Sequence, residues 1–112
     1  MKFTPHQLRV FECVARRLSV TKAAQELSLS QSTVSTQIKL LADEIGLPLF
    51  DPAGRSIALT EAGRELYATA QEMFDVWGRF EMRVADLRGL KRGLLRLAVA
   101  STAKYVVPDL LG

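Results

Sequence analysis

Six polar side chains crowd between Gln31 and Gln37, inside the stretch SLSQSTVSTQIKLLADEIG. Gln31, Ser32, Thr33, Ser35, Thr36 and Gln37 carry hydroxyl and amide groups, which both donate and accept, and no net charge. Their chemistry is hydrogen bonding to something flat and polar. A glutamine amide can make paired hydrogen bonds to a base edge, and serines and threonines admit a partner that long lysines would hold off. The same residues also suit a helix front that is merely solvated.

Other reactive groups are few. His6 is the only histidine, with no cysteine or carboxylate at ligand spacing, so a metal centre is not expected. Cys13 is the only cysteine, which excludes an intrachain disulfide, and its helical apolar surroundings suit a reduced core thiol. No serine, histidine and carboxylate arrangement and no phosphate loop is visible. The expectation is therefore no catalytic residue, no cofactor, no metal and no enzyme.

The polar cluster must be held by helices. Leu29, Val34, Ile38, Leu41 and Ile45 recur at helical spacing, with Ser30 as a cap and Gly46 as a stop. Upstream, Thr4-Pro5-His6-Gln7 is a capping box with proline at the first helical position, predicting a helix to about Arg17. Leu8, Phe11, Cys13, Val14, Ala15 and Leu18 are its expected buried side. Ser19 caps a short helix over 20–27, where Ala23 and Ala24 permit a close, steep crossing. The turn at Ser28-Leu29-Ser30, with Leu29 filling the angle, completes a helix-turn-helix pattern.

Pro48 ends helical continuation, and Leu49 and Phe50 return the chain to the core. Residues 51–56 read as a turn and Ile57-Ala58-Leu59 as a short returning strand, which together make a wing. Arg55 at its tip can enter a minor groove or pair with a phosphate. Thr60 then caps a long helix from Glu61 to about Leu87. Leu66, Met73, Phe74, Trp77, Phe80 and Val84 give that helix more apolar surface than a three-helix domain covers, so a second copy of the helix is expected against it. The alternative is cover from the tail at 94–111. RGLKRG at 88–93 reads as a basic linker, LLRLAVA at 94–100 as a buried strand, and Ser101 and Thr102 as caps of a further helix beginning at Ala103. A strand and a helix start of this kind open an α/β domain, cut short here.

Length and charge agree with that plan. The 112 residues are 48% hydrophobic and 24% charged, enough for a core and too apolar for wholesale disorder. The formal charge is +3, and residues 1–50 hold a net +2 while residues 51–92 balance. That suits an anionic partner. No apolar run is long enough to span a membrane and MKFTPHQ lacks a signal core, so the expected compartment is cytoplasmic, with no membrane contact.

With these residues in hand, the chain resembles the amino-terminal part of LysR-type transcriptional regulators. The likeness rests on LRVFECVA at 8–15, AAQELSLSQSTVSTQI at 23–38, GLPLF at 46–50, and a glycine–arginine pair followed by LTEAG at 59–63. Within that family FTPHQLRVF, STVSTQIKLL and LKRGLLRLAVASTAKY resemble regulators of carbon-dioxide-fixation (Calvin cycle) operons. The resemblance implies a mainly α fold: a winged helix-turn-helix over 1–59, a dimerisation linker helix over 60–88, a hinge over 89–93, and a truncated effector-binding domain from 94 to 112. It implies Gln31, Ser32, Thr33, Ser35, Thr36 and Arg55 as DNA-binding residues, an antiparallel pairing of linker helices, and tetramers made through the full effector domain. The small-molecule effector is unknown. Four positions depart from the common pattern: Ser32 replaces a proline, Thr36 an arginine, Ala42 a glutamate and Pro52 an arginine. The function expected is sequence-specific binding of double-stranded promoter DNA as a homodimer on dyad-symmetric sites. The rival is a dimerising protein-interaction module that touches no nucleic acid.

Overall fold

In a computed structural model of the chain, the backbone is described for residues 1–111 and the side chains for residues 1–100. Helices α1 (Pro5–Arg17), α2 (Val20–Leu27) and α3 (Gln31–Ile45) precede strands β1 (Phe50–Ala53) and β2 (Ser56–Leu59), and α4 (Glu61–Leu111) follows. The chain divides into two units, Met1–Phe74 and Asp75–Gly112.

In the first unit each helix starts where its cap dictates. The Gln7 amide N–H donates to Thr4 Oγ1 at 3.1 Å, and the Thr4 N–H donates to Gln7 Oε1 at 3.0 Å, closing the capping box. Ser19 and Ser30 accept in the same way from the Lys22 and Thr33 amides. Helix α1 is the centre of the unit and is buried on two sides. Val10, Cys13 and Val14 meet Ala23, Ala24 and Val34 on one side, while Phe11 and Ala15 meet Leu41 and Leu49 on the other. Phe11 and Phe50 pack tilted, with centroids 5.5 Å apart. Such a ring pair contributes about 0.5–1.5 kcal/mol beyond its buried area.

Leu18 is a correction to the expected core. It forms the left-handed end of α1 at φ 50° and is 42% exposed, while Val10, absent from the expected set, is fully buried. The left-handed cap turns the side chain away from the helix face that the apolar spacing extrapolates. Leu29 does fill the corner between α2 and α3, and Ser28 makes the turn at φ 55°.

The wing is tighter than the predicted turn over 51–56. Strands β1 and β2 pair antiparallel from Phe50 with Leu59 to Ala53 with Ser56, which leaves only Gly54 and Arg55 in the loop. Gly54 at φ 63° supplies the positive dihedral that a two-residue hairpin demands. Pro52 lies inside β1, where a two-stranded ribbon tolerates a missing N–H.

The start of helix α4 is seated on the segment that enters the wing, at Pro48 and Leu49. The Thr60 N–H donates to the Leu49 carbonyl at 3.1 Å, its hydroxyl donates to the Pro48 carbonyl at 2.6 Å, and the Gly63 N–H donates to that hydroxyl at 3.0 Å. A Cβ on Gly63 would stand 2.1 Å from the Leu49 carbonyl oxygen, so only glycine permits this approach. Leu66 and Tyr67 then pack on the cluster of Phe11, Leu41 and Leu49.

The second unit continues α4. The helix runs on through 89–93 and through the segment expected as a buried strand at 94–100, and the expectation of a strand is corrected. Leu94, Leu95, Leu97 and Val99 are 59–66% exposed. The reason is backbone hydrogen bonding: a strand there needs a neighbouring strand, and the one sheet among the described residues is the wing. Leu and Ala are also strong helix formers, and Gly89 and Gly93 cost about 1 kcal/mol each without stopping the helix. Ser101 and Thr102 fall within α4 rather than before a new helix, and their side chains lie outside the described residues. Among the described residues no helix is long and apolar enough to cross a membrane.

Candidate nucleic-acid interface

Helix α3 has two unlike sides. Val34 and Leu41 are buried, with Ile38 packed behind them, so the helix cannot roll. Gln31, Ser32, Ser35 and Thr36 are exposed, and Thr33 and Gln37 are half-buried. Ser32, Thr33, Thr36 and Gln37 line a shallow depression of about 260 Å³. Two of these six are already engaged in the free chain. The Ser30 hydroxyl donates to Thr33 Oγ1 at 2.7 Å, and Ser32 Oγ lies 3.2 Å from Ser30 Oγ. These hydroxyls build the helix cap, which leaves Gln31, Ser35, Thr36 and Gln37 with side-chain hydrogen-bonding capacity open among the described residues.

Arg55 stands exposed at the wing tip. It shares a depression of about 460 Å³ with Arg17, Ser19, Thr21, Lys22 and Ser56, and the Ser56 hydroxyl donates to the Leu18 carbonyl at 3.5 Å. Lys22 was not among the expected residues, and it borders the same depression as Arg55. A signal was available: Lys22 lies in the first turn of α2, where the helix dipole favours acids and disfavours a cation.

An exposed ionic cluster links α1 to α2 beside the packed Ala23 and Ala24. Arg16 pairs with Glu12 at 3.0 Å and reaches Glu26 on α2 with both terminal nitrogens. Hydrogen bonds from Arg16, then from the Cys13 thiol at 3.2 Å, hold the Glu26 carboxyl down at about 2. Burial, reinforced by the Glu26 carboxylate, pushes the Cys13 thiol up to about 11, so it stays protonated as core packing. Among the described residues no group of histidine, cysteine and carboxylates is placed to hold a metal ion.

The apolar residues expected to pair α4 separate into distinct environments. Leu66 is on the core of the first unit, and the Phe74 ring is covered by the Arg9 guanidinium at 3.8 Å. Met73 remains 42% exposed. In the second unit Trp77 and Phe80 pack with centroids 5.2 Å apart, yet are 57% and 43% exposed. With Val84, Ala85, Glu81 and Arg88 they line a groove of about 510 Å³.

Comparison with known proteins places this geometry. Residues 5–64 match the family described as bacterial regulatory helix-turn-helix protein, lysR family. The HTH-type transcriptional activator CmpR of Synechocystis sp. (strain ATCC 27184 / PCC 6803 / Kazusa) is 49% identical over 109 residues, covering 97% of this chain and 36% of the relative. The RuBisCO operon transcriptional regulator of Allochromatium vinosum is 48% identical over 111 residues, covering 99% and 37%. The chain thus spans little more than a third of these relatives' lengths. The crystal structure of the BenM_DBD/benA site 1 DNA complex superposes with a TM-score of 0.72 at 27% identity, over 76% of this chain and 96% of that one. The capped α3, its turn from α2 and the wing all fall inside the family match, and the chain belongs to the lysR family of bacterial regulatory helix-turn-helix proteins.

Proposed function

We propose that the chain is the DNA-binding and pairing portion of a sequence-specific transcriptional regulator. The observation that carries this is the open polar front of α3, held rigid by a buried back and bearing no charge. In this reading α3 enters the major groove, where Gln31, Ser35, Thr36 and Gln37 meet base edges. Ser32 and Thr33 hold the cap and approach the backbone. Arg55 enters the minor groove or meets a phosphate, and Lys22 pairs with a phosphate beside the first turn of α2. It is the family, rather than any missing motif, that sets the chain apart from an enzyme.

The regulator acts as a homodimer through α4, with Leu66, Met73, Phe74, Trp77, Phe80 and Val84 as the pairing residues, and binds a dyad-symmetric site in the cytoplasm. The domain boundaries proposed are 1–59, 60–88, 89–93 and 94–112, the last opening an effector-binding domain through which tetramers form. Supporting a role at carbon-dioxide-fixation operons, relatives at 48% and 42% identity are named as RuBisCO operon transcriptional regulators.

Selection of random duplexes on the purified chain, followed by gel shifts at two salt concentrations, tests the reading. The expected result is an enriched inverted repeat whose binding weakens steeply with salt. Self-association without any duplex binding at low salt would establish the rival interaction module instead.

A further inference from the structure

The depression at the wing tip draws on three elements: the end of α1 at Arg17, the start of α2 at Ser19, Thr21 and Lys22, and the wing at Arg55 and Ser56. The Ser56 hydroxyl joins the wing to the α1–α2 turn through the Leu18 carbonyl. Three cations and no carboxylate line this depression. Among the described residues Lys22 and Arg55 have no ion-pair partner, and Arg17 has one.

That partner is Glu26 on α2, and the pairing is loose. Arg17 Nε stands 3.8 Å from Glu26 Oε1, past hydrogen-bond distance, and the Arg17 side chain is 42% exposed. Arg16 engages the same carboxylate with both terminal nitrogens and turns its Nε to Glu12. The hydrogen bonds of Glu26 therefore come from Arg16 and the Cys13 thiol, and Arg17 adds charge alone. Among the described residues no hydrogen bond holds the Arg17 guanidinium. Its planar fork of N–H donors matches a phosphate, with two parallel hydrogen bonds.

We infer that Arg17 is a third phosphate-binding cation of the interface and that Glu26 restrains it, so that Glu26 tunes the affinity for any duplex without touching DNA. The inference rests on the DNA-binding reading proposed above, in which Lys22 and Arg55 border the same depression. A phosphate there gives Arg17 the bidentate partner that Glu26 does not supply. To take it, the side chain gives up one exposed ion pair, which costs little. Phosphate contacts carry no base information, so Arg17 and Glu26 act equally on operator and random duplex.

The test measures dissociation constants of the full chain on the selected operator and on a random duplex, at about 50 and about 200 mM salt. Glu26→Gln should tighten both by about two- to fivefold, the range of an exposed ion pair. Arg17→Gln should weaken both and lower the salt slope by about 0.9 per bound subunit, so its deficit shrinks about three- to fourfold between the two salts. In the Arg17→Gln background, Glu26→Gln should bring no gain. The slope of Arg17→Gln alone reads the same contact with the pair of Arg16 and Glu26 intact, and thermal melting at the assay pH checks that each variant is folded.

An equal gain from Glu26→Gln with and without Arg17 would make Glu26 a general field on the duplex and overturn the inference. A wild-type salt slope in folded Arg17→Gln would overturn it as well. So would weaker binding by Glu26→Gln, which would mean that the carboxylate presents Arg17 instead of restraining it. A loss confined to the operator would make Arg17 a base reader and refute the phosphate role. If wild type binds neither duplex at low salt, the DNA-binding reading fails and takes the inference with it.

Discussion

Gln31 begins α3 with its amide exposed and open among the described residues, whereas Thr33, two positions on, has its hydroxyl committed to the Ser30 cap. The two should answer mutation differently. Gln31→Ala should lose about 1–3 kcal/mol on the selected operator and far less on random duplex, read by anisotropy titration on both. Equal loss on both would remove Gln31 from base reading. Glu26 gives a pH signature. Its carboxyl falls from the ordinary 4.5 to about 2 because Arg16 and Cys13 donate to it. A depressed carboxyl stabilises the fold above its unfolded value and loses that contribution as the pH falls through its folded one. Melting temperature should therefore drop between about pH 4.5 and pH 2, and Glu26→Gln should show a shallower drop over the same window. A variant with the wild-type slope would show that the cluster does not couple α1 to α2.

Two glycines in α4 make the same substitution run in opposite directions. Gly63→Ala places a methyl group against the Leu49 carbonyl, so it should destabilise the first unit by about 1–3 kcal/mol or more. Gly78→Ala meets nothing within 4 Å inside the same helix and should stabilise it by about 1 kcal/mol. Chemical denaturation of both variants checks the pair, and matching signs would place the close approach at Gly63 in error. Much of the element plan was legible because it is written locally. Thr4, Ser19 and Ser30 each sit one residue before an observed helix, and Gly46 one residue after. What was not legible depends on distant partners. LLRLAVA has the hydrophobicity of a buried strand and the propensity of a helix, and only a neighbouring strand decides between them. Leu18 looked like core until a left-handed cap turned it outward. Lys22 gained meaning only when the hairpin brought Arg55 into the same depression. The polar front of α3 was legible from composition, but the division between capping and open side chains needed hydrogen-bond geometry.

For the molecule as a whole, the proposed dimer turns on the aromatic groove at Trp77 and Phe80. Replacing both with serine should shift the chain from dimer toward monomer in sedimentation at about micromolar concentration and weaken operator binding. Residues 4–59 should stay folded by hydrogen exchange, since neither ring belongs to the clusters around α1. A wild-type chain that is monomeric with and without DNA would remove the dimer and the two-half-site operator together. The absence of charge on the front of α3 has a kinetic consequence. In the proposed interface the cations that attract any duplex, Lys22 and Arg55, line a separate depression. Attraction and discrimination then respond to different variables. Added salt should shorten the dwell time on operator and random DNA by nearly the same factor, leaving their ratio almost constant. Crowded cations in the cell would speed departure from wrong sites without blurring the choice of the right one.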